Sequence, residues 1–169
     1  MADRPTAAQR RHTALRSALD EQLSALGEPP YTGPDLPPAV LEACARALLR
    51  ARRGGREPHR PALKAVVRAT LAELAARHPG QALEVRVPPY GAVQCLEGPR
   101  HTRGTPPGVV ETDPLTWTAL AVGDLTWTEA VDSRRVSASG VRADLAPMLP
   151  LWPRPGAPTP VGSGPGNSD

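Results

Sequence analysis

A chain of 169 residues holds one ordinary domain with flanking segments, and its 40% apolar content allows a packed interior. Aromatics are only 3% and Phe is absent, so that interior must be aliphatic, with Trp117, Trp127 and Trp152 as the few large groups. The net charge of +3 permits acidic partners without demanding them, no apolar run approaches the roughly 20 residues of a membrane span, and the start MADRPTAAQRRH lacks a secretory apolar core.

A soluble, cytoplasmic protein without stable membrane insertion is therefore expected. The two cysteines, Cys44 and Cys95, are far apart and give neither a disulfide framework nor a clustered zinc pattern, which fits a reducing compartment. The Ala/Arg/Pro/Gly-rich, Lys-poor composition is what a GC-rich bacterial genome encodes.

In chain order, Leu15, Ala18, Leu19, Leu23 and Leu26 recur near the helical period and predict an amphipathic helix over 7–26, closed by Gly27 and the breaker run EPPYTGPDLPP. A second helix, AVLEACARALLRA, places Val40, Leu41, Cys44, Ala47 and Leu48 on one stripe, with Cys44 as a small buried hydrophobe. The basic run RARRGGREPHR, residues 50–60, lacks interleaved aromatics and is broken by Gly54 and Gly55. It reads as a solvated linker, and no nucleic-acid partner is expected. Pro61 then opens a third helix with Leu63, Val67, Leu71 and Leu74 on one face and Pro79-Gly80 as its stop.

Here the period changes to two. LEVRV alternates Leu83, Val85 and Val87 against Glu84 and Arg86, PPYG turns the chain, and AVQCL completes an antiparallel hairpin. A long bend, EGPRHTRGTPPG, leads to a third strand, VVET. Asp113-Pro114 caps a helix running to Gly123, and Thr126 with Glu129 forms a capping-box start for WTEAVDSR. RVSASG is a fourth strand with Val136 and Ala138 on one face, and ADLAPMLPLW reads as a last helical turn or two, broken by Pro147 and Pro150. Beyond Trp152 the chain has almost nothing to bury and reads as a disordered tail. The division expected is residues 1–57 as a helical extension with an Arg-rich linker, 58–152 as the main domain, and 153–169 as the tail.

The chemistry concentrates at the bend. Cys95, Glu97, His101, Glu111 and Asp113 are all metal-ligand types, but no pair has the close spacing that holds two ligands on one turn, so neither a metal nor a cofactor is expected. Cysteine catalysis would need Cys95 to face His101 across the bend. An anion-binding loop is better founded: Arg100, His101 and Arg103 stand among glycines that free backbone N–H groups, although the arginines pairing with Glu97, Glu111 or Asp113 would pin the loop equally well. From periodicity alone, Trp117 and Trp127 are core.

Residues from about 61 to 152 resemble the sterol carrier protein family, in its bacterial sterol-carrier-like branch. The resemblance rests on VRVPPYGAVQCLEGPRHTRGTPPGVVETDP and LTWTALAVGDLTWTEAVDSRRVSASGVRADLAPMLPL, whose order is strand, helix ending in AVG, short helix, strand ending in SG, and final helix. It implies an α/β fold of the α+β type: a twisted, mostly antiparallel sheet covered on one face by helices, with an apolar tunnel between the layers. It also implies binding of fatty acids, acyl thioesters or sterols without chemical change. Trp117, Leu120, Trp127, Val131, Leu145, Met148 and Leu149 then become candidate tunnel-wall residues, and Arg100, His101 and Arg103 candidate head-group ligands. The expected function is a non-catalytic carrier of a small apolar ligand, a lipid or fatty acyl group. The alternative is an accessory protein-interaction module with a filled core.

Overall fold

A computed structural model describes residues 4–98 and 108–152. Three long helices, α1 (Ala7–Leu26), α2 (Pro37–Arg53) and α3 (Arg60–Arg77), precede the strands β1 (Leu83–Val87), β2 (Gly91–Cys95) and β3 (Gly108–Thr112). Two short helices, α4 (Pro114–Ala121) and α5 (Trp127–Asp132), lead to β4 (Val136–Ser139) and a single 3-10 turn, Ala146–Met148.

The helix boundaries follow local chemistry. Thr6 and Gln9 exchange side-chain and backbone bonds in a capping box that starts α1, and Gly27 ends it at φ 75°, a left-handed cap that glycine adopts without a Cβ penalty. Asp113 accepts from the Leu115 and Thr116 amides, both at 3.0 Å, to start α4, and Thr126 with Glu129 starts α5. α3 closes one residue past Arg77, at His78, ahead of the expected Pro79-Gly80 stop. Gly80 has a different use: at φ 146° its backbone passes so near the Leu96 carbonyl that a Cβ would lie 1.9 Å from that oxygen.

The strands form one four-stranded sheet in the order β2-β1-β3-β4. β1–β2 and β3–β4 are antiparallel and β1–β3 is parallel, so the sheet is mixed and mostly antiparallel. Register places Leu83 opposite Cys95 and Gly108, Val85 opposite Val93 and Val110, and Thr112 opposite Val136. This row faces the helices, while Arg86, Gln94, Glu111 and Ser137 face outward and are exposed. Thr112, buried on the inner row, gives its hydroxyl to the Arg135 carbonyl at 2.8 Å.

α3 lies over the β2 side of the sheet, where a Cβ added to Gly91 would meet Leu71 Cδ1 at 3.4 Å. α4 packs beside it, and α1 and α2 add a further helical layer whose Leu19, Val40, Cys44 and Leu48 belong to the same continuous core as Val85 and Trp117. Each such fully buried aliphatic side chain contributes about 1.5–3 kcal/mol. The run over 50–60 is partly helix and partly pinned: Arg50 pairs with Glu28 at 2.7 Å, Arg53 with Asp124 at 2.6 Å, and Arg56 donates to the Ala25 carbonyl at 2.6 Å. These arginines bind the helical layer to itself and to the α4–α5 turn.

Candidate functional site

The apolar layer between the inner row of the sheet and α3, α4 and the chain after β4 gathers most of the candidate wall residues. Its floor is Leu83, Val85, Val87, Val110 and Val136, all buried. Its roof at the α3–α4 junction is Trp117, 0% exposed, whose indole Nε1 donates to Thr70 Oγ1 at 2.7 Å. Thr70 in turn donates to the Val66 carbonyl at 2.7 Å, so both buried polar groups are satisfied within the core.

Residues 145–152 form a strap against the end of α4. The Leu151 and Trp152 amides donate to the Ala121 carbonyl at 2.8 and 3.3 Å, and Arg77 Nη1 donates to the Leu151 carbonyl at 2.7 Å while its guanidinium lies over the Trp152 ring. Pro147 and Pro150 limit this strap to one 3-10 turn, the shorter of the one or two helical turns expected. It turns Leu145, Met148, Leu149 and Leu151 into the core.

Of the seven candidate wall residues, Trp117, Leu120, Leu145, Met148 and Leu149 are buried in one cluster with the sheet. Trp127 is half-buried against that cluster, and Val131, one turn further along α5, stands 40% exposed. The difference follows the helical cover. Ala138 shares the inward side of β4 with Val136 and pairs with buried Val110, yet it is exposed, so the cover thins toward the end of β4.

That end adjoins the bend. The bend leaves β2 through Leu96, held at φ 65° with its amide on the His78 carbonyl and its carbonyl receiving the Ala82 amide. It returns at Gly108, whose amide donates to the Ala82 carbonyl at 3.2 Å, while Arg142, three residues past β4, donates to the Glu97 carbonyl at 3.2 Å. Both ends of the bend are thus anchored beside Ala82, at the Leu83 end of the sheet. Arg100, His101 and Arg103, the expected head-group residues, lie outside the described residues.

The remaining chemistry is muted. Burial pushes the Cys95 thiol up to about 11 and the Cys44 thiol up to about 12, the reverse of what an attacking thiolate requires. Among the described residues no three His, Cys, Asp or Glu side chains converge on a metal position, and no helix is long and apolar enough to cross a membrane. Sequence reasoning missed Thr70, the partner of Trp117. The signal was present, because Thr70 is a hydroxyl on the apolar stripe that carries Val66, Val67 and Leu74. It also missed Arg142, whose role depends on a contact 45 positions away in the chain.

A search of curated proteins finds no match to this chain. The family of bacterial SCP orthologs matches residues 59–151, more than half of the chain, from the N-cap of α3 through all four strands to the strap over α4. With that match over the sheet, its helical cover and the strap, the chain belongs to the bacterial SCP ortholog family.

Proposed function

We propose that this protein is a non-catalytic carrier that takes a fatty acid, acyl thioester or similar lipid into the layer between sheet and helices, with residues 58–152 as the binding unit. Ala138 is the observation that carries the reading: an inward position of the sheet, backed by buried Val110, reaches solvent beside the anchored ends of the bend. An acyl chain entering there would run toward Leu145, Met148, Leu149 and Trp117, with Trp127 and Val131 at the rim. Each buried CH₂ would contribute about 0.8 kcal/mol before ordering costs. Arg100, His101 and Arg103 on the bend would then meet the head group. Two buried free thiols fit a reducing cytoplasm.

The test is a titration of the full-length protein with a fatty acid and with its neutral alcohol of equal length, repeated on Arg100→Ala/Arg103→Ala. Both ligands bind the wild type, and the double variant loses affinity for the acid alone. Absence of binding for either ligand sinks the carrier reading, whereas equal losses for both sink only the head-group role.

A second reading, an interaction module with a filled core, draws on one observation. Trp117 is fully enclosed and hydrogen-bonded to Thr70, as in a rigid interior that needs no ligand. Under that reading no lipid of any length is taken up.

A further inference from the structure

The two edges of the sheet are finished differently. On the β2 side α3 packs against the sheet and bonds to the chain at both ends of the strand. Arg68 Nε donates to the Tyr90 carbonyl at 3.1 Å, just before β2, and the Leu96 amide, just after it, donates to the His78 carbonyl at 2.8 Å. β4 has no such neighbour. It pairs with β3 on one side, and among the described residues no backbone or side-chain group bonds to its other side.

An open strand edge is a row of unpaired N–H and C=O groups, and proteins blunt it with charged residues, proline, a bulge or a cover. Val136–Ser139 reads VSAS, without charge or proline, and its pairing with Val109–Thr112 runs without a bulge. Shortness is its one defence. Ser137, Ala138 and Ser139 are exposed in succession, so both faces beside the edge are open and another strand has room to lie there.

The flank of the edge decides between occupants. Arg134 and Arg135, immediately before β4, are both exposed. Their backbone is fixed: the two amides donate to the Val131 and Ala130 carbonyls at 3.0 and 2.9 Å, and the Arg135 carbonyl receives the Thr112 hydroxyl. Arg134 is held at φ 57°, a conformation uncommon outside glycine and asparagine. Neither guanidinium has a partner among the described residues, and Asp132, the nearest acid in the chain, pairs with neither. Arg11 and Arg52 are unpaired too, but they stand on helices, whereas these two stand at the entrance to a free strand edge. A second copy does not satisfy them. Antiparallel pairing of β4 with itself, centred on the strand, sets Val141 and Gly140 opposite Arg134 and Arg135, where carboxylates belong. On the inner side, the small and exposed Ala138 leaves space for a bulky apolar neighbour across the edge.

We propose that the free edge of β4 takes up an extended segment of a partner protein as an added antiparallel strand. Its apolar residues turn to the Ala138 side, and carboxylates at its C-terminal end meet Arg134 and Arg135. Main-chain bonds supply the affinity, and the alternating side chains with the acidic end fix register and direction. The antiparallel sense is the more stable per residue and brings the C-terminal end of the segment to the arginines. This surface does not depend on the carrier reading.

The experiment uses the full-length protein and three probes. They are a labelled short peptide of alternating valine and threonine ending in two glutamates, the same peptide with its backbone amides N-methylated, and a version with the glutamates moved to the N-terminus. The first binds with an affinity that falls with added salt, and the other two bind at least about tenfold more weakly. Arg134→Asn/Arg135→Gln weakens the first peptide about tenfold. The melting temperature of this variant is unchanged, because asparagine readily adopts the positive φ at position 134. Equal binding of the N-methylated peptide, or undiminished binding by the variant, overturns the proposal. Absence of peptide binding overturns it as well, and self-association of the protein in sedimentation would then assign the edge to a second copy.

Discussion

β1 and β4 are read from the same alternating pattern, but they end in different environments. Along β1 every inward residue, Leu83, Val85 and Val87, is fully buried beneath the helical cover. Along β4 Val136 is buried but not completely, and Ala138, on the same side two residues later, is exposed. A strand's alternation states which side faces inward. Whether that side is covered depends on what the rest of the chain stacks against it, and here α3 and α4 cover one flank of the sheet while α5 covers little of the other. A dry, hydrogen-bonded core and an open apolar rim therefore share one layer.

Substitutions on the two flanks should separate accordingly. The largest effect belongs to the covered flank: Trp117→Ala removes a fully enclosed indole and should cost about 3–5 kcal/mol, read as a lower denaturant midpoint. Thr70→Val, which keeps the volume but strips the acceptor from the Trp117 indole, should cost about 1–3 kcal/mol in the same measurement. If Thr70→Val proved neutral, the junction of α3 and α4 would rest on packing alone.

Smaller effects come from the periphery. The Arg50 guanidinium, by hydrogen bond, holds the Glu28 carboxyl below the usual carboxylate range. A carboxylate whose folded value is depressed stabilises the fold above its unfolded value, and that contribution is lost as pH falls through the folded one. Glu28→Gln should therefore be less stable than wild type at neutral pH, by under about 1 kcal/mol for so exposed a pair, and the difference should vanish in acid. A gap that persisted in acid would assign the effect to packing. On the open flank, Val131→Ser should change stability by less than about 0.5 kcal/mol while weakening uptake of an acyl ligand at the rim.

Much of the fold was legible in local sequence because its signals are local. The LEVRV alternation, the Thr126/Glu129 capping box and the Asp113-Pro114 start each act within a few residues, and each element appears where its signal stands. What was not legible joins distant parts of the chain. The parallel pairing of β1 with β3, the Trp117–Thr70 bond and the Arg53–Asp124 pair depend on residues brought together only by folding. The site divides in the same way. Leu120, Leu145, Met148 and Leu149 could be chosen by type and by resemblance, but the exposure of Ala138 and Val131 is set by how short α5 is and where it lies. Arg50, Arg53 and Arg56 looked like a solvated linker because their partners, Glu28, Asp124 and the Ala25 carbonyl, lie 22 to 71 positions away.

The proposed carrier function requires the apolar layer to open to a ligand on the β4 side. Native mass spectrometry of gently purified wild type and of Ala138→Trp, each offered a fatty acid, tests it most directly. The open-rim reading predicts one bound acyl species on the wild type and its loss from the variant, with both proteins equally folded. A wild-type mass that never gains ligand, or a variant that binds as well as wild type, would contradict it.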